Sequence, residues 1–212
     1  MIGSIFVVLE SATIPDTLTV QEWGRTFVKN NLPGIIEYSD HFPGGLIRFT
    51  GPLKVKNVQH AGLKISCVEP RIFKMIILSL NLSKERLKVK HIRVLEKKPY
   101  THTIHMTFNK GVYTVLPFKD AFFNETTKAY NLLYAEKIDA EILRKILVIK
   151  KTHTVLEKKD DATILKGYMD IQIQPDVISE EIIQEYLYFI ETQGIGINKD
   201  KGYGNIRLYS NN

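Results

Sequence analysis

The chain has 212 residues, 44% of them hydrophobic and 25% charged, which suits one large or two small domains with a real core and excludes a disordered or fibrous chain. Its formal net charge of +6 favours an acidic partner such as nucleic acid. The single cysteine, Cys67, excludes an internal disulfide framework and predicts a reducing, cytoplasmic setting, while the lack of an apolar run of bilayer length argues against a membrane role.

Ser4 to Glu10 reads as an opening strand, too short and too poorly flanked by basic residues for a signal peptide. Thr19 and Glu22 stand at the spacing of a capping box. Val20, Trp23, Phe27 and Val28 then form the apolar face of a first helix, which Pro33 and Gly34 end. Tyr38 to Gly45 reads as a polar turn. Leu46 to Val55 and Leu63 to Val68 read as strands joined through Asn57 and Gly62, with Cys67 as a small buried residue. Arg71 to Leu80 has the spacing of a helix, its β-branched content leaving a strand open. Leu87 to Leu95 reads as a basic strand. In the second half, Thr103 to Phe108 and Tyr113 to Leu116 read as two strands around the turn Asn109-Lys110-Gly111. Ala121 to Glu136 and Ala140 to Ile146 read as helices. Leu147 to Leu156 and Thr163 to Ile173 read as a hairpin with a charged turn from Glu157 to Asp161.

The chain closes on its most distinctive stretch. Ser179 is an N-cap, Glu180 and Glu181 suit the positive end of a helix, and Ile182, Ile183, Tyr186, Phe189 and Ile190 share a face. Then come Gly194, Gly196, a basic insert with Lys199 and Lys201, Gly202, Gly204, and a strand-like alternation through Arg207 and Tyr209. The loop runs from helix to strand. Dinucleotide and P-loop sites run from strand to helix, so both are excluded. The helix presents its negative end to the loop, so an anion there relies on loop N–H groups and on Lys199, Lys201 and Arg207. The β-α-β-β-α-β order in each half predicts an α+β fold of two ferredoxin-like domains, residues 1–99 and 100–212, with helices on one face of antiparallel sheets.

The terminal pattern, hydrophobic-x-Gly-hydrophobic-Gly, five residues, then Gly-aromatic-Gly over Gly194 to Gly204, resembles the RAMP superfamily of CRISPR-associated RNA-binding proteins. The two halves, and a histidine just after the first helix, are similar to its repeat-processing endoribonucleases. This resemblance implies two tandem ferredoxin-like (RRM-like) domains and metal-independent cutting of precursor CRISPR RNA within its repeats. In that reaction the 2′-hydroxyl attacks the adjacent phosphate, leaving a 2′,3′-cyclic phosphate and a 5′-hydroxyl. It implies repeat RNA and mature guide RNA as partners, other CRISPR effector subunits as further candidates, no cofactor or metal, and a monomer or homodimer.

Such a reaction needs a group to take the 2′-hydroxyl proton, one to protonate the leaving 5′-oxygen, and positive charge near the phosphate. Histidine suits the proton roles and lysine or arginine the charge role. On its own His41 reads as an ordinary loop histidine; the resemblance, which places the general acid/base histidine on or just after the first helix, singles it out. Tyr38 is the neighbouring hydroxyl, and His60 the second candidate, near Lys54 and Lys56. The predicted catalytic set is His41, Tyr38 and Lys54. The predicted RNA-binding set is Gly194, Gly196, Lys199, Lys201, Gly202, Gly204 and Arg207. His102 and His105 invite a metal reading, but on a strand their separation sends them to opposite faces, with no acidic partner nearby in sequence. The pairs Asp160-Asp161 and Glu180-Glu181 fit a turn and a helix start. Basic clusters around Lys88, Lys90, His91 and Arg93, around Lys97 and Lys98, around Arg144, Lys145, Lys150 and Lys151, and at Lys158 and Lys159 are solvated faces or phosphate contacts. Tyr100, Tyr203 and Tyr209 are candidates to stack on bases. A guide-RNA-holding subunit without catalysis, or a ferredoxin-like module that binds a small molecule or protein, are the rival readings.

Overall fold

Alternation along β1 (Gly3–Glu10) sets the first core: Ile5, Val7 and Leu9 are fully buried, while Phe6, Val8 and Glu10 are only partly covered. The computed structural model describes residues 2–16, 18–42, 45–53, 55, 59–96, 98–159, 161–174, 178–197 and 204–210. They divide into two units, Met1–Glu96 and Lys97–Asn212. In the first unit, β1 is followed by α1 (Val20–Asn31), α2 (Ile35–Asp40), β2 (Ile47–Leu53), β3 (His60–Cys67), α3 (Pro70–Leu82) and β4 (Val89–Val94). Its sheet has the order β2-β3-β1-β4, and every neighbouring pair is antiparallel. Helices α1 and α3 lie against that sheet, burying Trp23, Phe27, Val28, Ile72, Phe73, Ile76 and Leu80.

The second unit repeats the plan. Strand β5 (Thr103–Thr114) leads to α4 (Phe118–Asp120), a π turn (Ala121–Glu125), α5 (Thr126–Leu133) and α6 (Ala140–Ile146), then β6 (Leu147–Lys159), β7 (Ala162–Ile173), α7 (Glu180–Gln193) and β8 (Asn205–Ser210). The sheet order β6-β7-β5-β8 is the same permutation as in the first unit, again antiparallel throughout. Both units therefore have the ferredoxin-like topology that the order of elements predicts. The core of the second unit includes Tyr130, Tyr186, Phe122 and Phe189, all fully buried. The Tyr186 hydroxyl shares a hydrogen bond with Thr126 inside the π turn's exit, so this large side chain is buried without an unmet polar group.

Local signals explain the helix starts. Thr19 accepts a hydrogen bond from the Glu22 N–H at 3.2 Å, and the Glu22 carboxylate accepts one from the Thr19 N–H at 2.7 Å, which is the reciprocal box read from the sequence. Ser179 caps α7 through the Ile182 N–H. Cys67 is fully buried, and burial pushes its thiol up to about 12.

Four readings of the sequence need correction. Tyr38, Ser39 and Asp40 lie in helix α2 rather than in a turn, because burial of Ile36 and Ser39 gives this short segment an inner face. His60 begins β3, opposite Glu10, rather than sitting in a loop, and Gly62 is also inside the strand; Asn57 lies outside the described residues. Residues 109–111 are not a hairpin turn. Strand β5 continues past them against the same partner, with Phe108 opposite Gly167 and Val112 opposite Leu165, so they form a bulge with positive φ at Lys110 and Gly111. Finally, β6 and β7 stay paired as far as Lys159 and Ala162, so Glu157, Lys158 and Lys159 are strand residues.

Candidate functional site

Helix α2 is anchored from three directions. Ile36 points into the core. The buried Ser39 hydroxyl oxygen accepts the Leu46 N–H at 2.8 Å and the Ile47 N–H at 3.1 Å, tying the helix to the start of β2. On the outer side, Arg25 of α1 pairs with Asp40, and Lys29 of α1 lies 3.5 Å from Glu37. Glu37's carboxyl is held below the usual range first by its own backbone N–H, with Lys29 and Arg25 adding to the effect.

His41 caps the C-terminal end of this helix and is exposed. Its Nδ1 lies 2.6 Å from the Glu37 carbonyl oxygen. A carbonyl only accepts, so this contact places a proton on Nδ1 and leaves Nε2 as the ring nitrogen turned away from the helix end's own hydrogen bond. Tyr38 stands one helical turn before His41, 51% exposed, with its ring edge-on to Phe42 at 5.2 Å. The structure thus brings Tyr38 and His41 together on one anchored turn flanked by Arg25 and Lys29. Lys54 and Lys56 lie outside the described residues. His60 faces Glu10 across the β1–β3 pair, and Glu10 also binds Lys90 at 2.5 Å and Lys88 at 3.8 Å. Lys88 and Lys90, read as a solvated face or phosphate contacts, are exposed and both lie against Glu10.

The glycine loop belongs to the second unit. Gly194 caps α7, donating its N–H to Ile190. Beyond it the backbone doubles against β5: Ile197 N–H donates to Tyr113, Gly204 N–H to Gly111, and Ile195 N–H to Gly204. A Cβ on Gly196 would meet the Tyr113 carbonyl oxygen at 2.3 Å, and one on Gly204 would meet the Ile195 carbonyl oxygen at 1.9 Å. What approaches these two glycines most closely is the chain's own backbone. Residues 198–203, with Lys199, Lys201, Gly202 and Tyr203, lie outside the described residues. Arg207 is exposed on β8, opposite Thr107.

Two aromatic and histidine readings change. Tyr100 is 8% exposed, and its hydroxyl donates to Glu191 at 2.8 Å while its backbone exchanges two hydrogen bonds with Gln184. Burial raises its hydroxyl's pKa, and the ring is closed to a base. His105 does have an acidic partner: its Nδ1 is 2.7 Å from Asp170, directly opposite on β7. Sixty-five positions separate the two in sequence, and only the strand register joins them. Arg144 is likewise held inside its unit, reaching Asp120 and Asn124 at 3.1 Å each and lying over the Phe123 ring. Among the described residues no cluster of three or more His, Cys, Asp or Glu side chains stands ready for a metal.

No protein-family model matches the chain, and no curated protein matches it in sequence. Solved structures do match in fold. A structure described as a Cas6 product complex superposes with a TM-score of 0.66 at 10% identity over 99% of each chain. A Cas6-related protein from Pyrococcus furiosus matches at 0.59 with 12% identity over 100% of both chains. A RAMP protein described as binding different RNA substrates matches at 0.56 with 14% identity, over 98% of this chain and 100% of the other. From end to end, the chain has the tandem ferredoxin-like fold of the Cas6 and RAMP proteins.

Proposed function

We propose that the chain is an endoribonuclease that cuts precursor CRISPR RNA within its repeats without a metal, with His41 as the general acid/base. The observation that carries this reading is the setting of His41: a histidine oriented by an Nδ1 hydrogen bond to Glu37, at the exposed end of a helix pinned to both its neighbours. In the step envisaged, His41 Nε2 takes the proton of the 2′-hydroxyl, the O2′–P bond forms, and the P–O5′ bond breaks. The leaving 5′-oxygen takes a proton from water, the proton on His41 returns to solvent, and the products are a 2′,3′-cyclic phosphate and a 5′-hydroxyl. Tyr38 is proposed to hydrogen-bond the scissile phosphate, while Arg25 and Lys29, each paired with a carboxylate of α2, hold the helix in place. Lys54 is the cation proposed for this site. The glycine loop, with Lys199, Lys201, Gly202 and Arg207, is proposed to hold the RNA backbone on the second unit.

Incubation of the protein with repeat RNA in EDTA is expected to yield the two product ends named above. A 2′-deoxy substitution at the scissile nucleotide is expected to abolish cutting, because it removes the nucleophile. Continued cleavage of the deoxy substrate sinks internal transesterification. Tight, salt-sensitive binding of repeat RNA with no cleavage supports instead a subunit that holds guide RNA, a reading favoured by the equally full-length likeness to an RNA-binding RAMP protein.

A further inference from the structure

The second unit carries a feature that the proposed cleavage chemistry does not use. On the face of its sheet turned away from the buried Ile104, Met106, Met169, Ile171, Ile206 and Leu208, the register builds two rows across the four strands. One runs Lys151, Asp170, His105, Tyr209, and the other His153, Tyr168, Thr107, Arg207. Within these rows four rings form a ladder from one edge strand to the other. His153 stacks on Tyr168 at 4.7 Å and 28°, Tyr168 meets His105 at 4.7 Å, and His105 meets Tyr209 at 6.4 Å.

Cross-strand ring pairs of this kind stabilise a sheet, but packing alone does not explain why the ladder is left open. Tyr209 is 46% exposed, and the His105 side chain 28%. Lys151, His153 and Arg207 are exposed as well. The rows hold one acid, Asp170, hydrogen-bonded to His105, against two cations, Lys151 and Arg207, so cations outnumber acids on this face. Flat π-faces bounded by cations match a chain that offers unpaired bases and a phosphate backbone together. A duplex hides its base faces, whereas a single strand can lay them on the rings.

We infer that this face is a stacking platform for the unpaired bases of single-stranded RNA, with Tyr209 and Tyr168 as the principal ring contacts and Arg207 and Lys151 on the backbone. The inference rests on reading the chain as an RNA-handling protein, but not on its being a nuclease. The test is fluorescence anisotropy of the full chain with a labelled short oligoadenylate and with a labelled RNA duplex. Tyr209→Ala is expected to weaken oligoadenylate binding by about 5- to 100-fold while leaving duplex binding unchanged. Tyr209→Phe is expected to stay within about twofold of the parent, since the ring and not the hydroxyl is used. Tyr209 is exposed, so its truncation leaves the fold standing, which thermal melting verifies.

Parent-like binding of oligoadenylate by Tyr209→Ala, or equal losses on single strand and duplex, overturns the platform; so does a parent protein that ignores oligoadenylate. Repeat-RNA cleavage by the same preparations keeps the two readings apart. A parent that cleaves while Tyr209→Ala binds like it removes the platform alone. A parent that never cleaves but loses single strands on Tyr209→Ala removes the nuclease reading and leaves the platform.

Discussion

His41→Ala lowers the single-turnover rate of repeat-RNA cleavage by about 10²- to 10⁴-fold, the usual contribution of a positioned acid/base, and changes the dissociation constant for the same RNA little. The expectation follows from how the residue is held. Ring orientation comes from the 2.6 Å hydrogen bond between Nδ1 and the Glu37 carbonyl, so the alanine variant loses both the base and its aim. The surrounding helix does not depend on the ring, because its anchors are Ile36, Ser39 and the ion pairs to α1. Thermal melting of the variant should therefore match the parent, as is usual for an exposed side chain. His60→Ala, on β3 and facing Glu10, is the discriminating control and should cleave at the parental rate. If His60→Ala is the slow variant and His41→Ala cuts within threefold of the parent, on the order of an exposed bystander, the assignment moves from α2 to the sheet.

Gly204→Ala lowers the stability of the second unit by about 2–5 kcal/mol, from a left-handed backbone that disfavours a Cβ and from an atom forced into occupied space. Gly204 has φ 68°, and its new Cβ would sit 1.9 Å from the Ile195 carbonyl oxygen, in a backbone pair that cannot swing aside as a side chain could. Gly34 separates the two contributions. It has φ 81° but nothing within 4 Å of a Cβ, so Gly34→Ala carries the conformational part alone, about 1–2 kcal/mol. Urea denaturation of the two variants should show the larger fall for Gly204→Ala. Equal falls would mean that the close approach at Ile195 relaxes freely and that the loop base is soft.

The parts of the fold legible in the sequence are those fixed by neighbours along the chain. The Thr19–Glu22 box, the Ser179 cap and the alternation in β1 each need only a few consecutive residues, and each stands in the structure as read. What the sequence hides is whatever depends on a distant partner. Helix α2 is six residues long and too short to be stable by its own propensity; it exists because Ser39 meets the Leu46 and Ile47 N–H groups and because α1 supplies two cations. The β5 bulge resembles a hairpin turn because Lys110 and Gly111 both have positive φ, the usual signature of a reversal, and only the unbroken pairing with β7 shows otherwise. The His105–Asp170 pair and the ring ladder are products of register, which alternation alone does not set. For the candidate site, His41 and Tyr38 are legible as neighbours just after the first helix, whereas the anchoring that orients His41 and fixes their position is not.

The bulge in β5 also decides how freely the terminal loop can vary. Its two sides, at Gly111 and Tyr113, receive the N–H groups of Gly204 and Ile197, so a single short stretch of strand holds both feet of the loop. Both hydrogen bonds run backbone to backbone, so they fix where the chain leaves and rejoins the sheet whatever side chains stand at Ile197 and Tyr113. Of the two feet, Ile197 is held through its backbone alone and its side chain can vary, whereas Gly204 is held against the Ile195 carbonyl and admits no side chain.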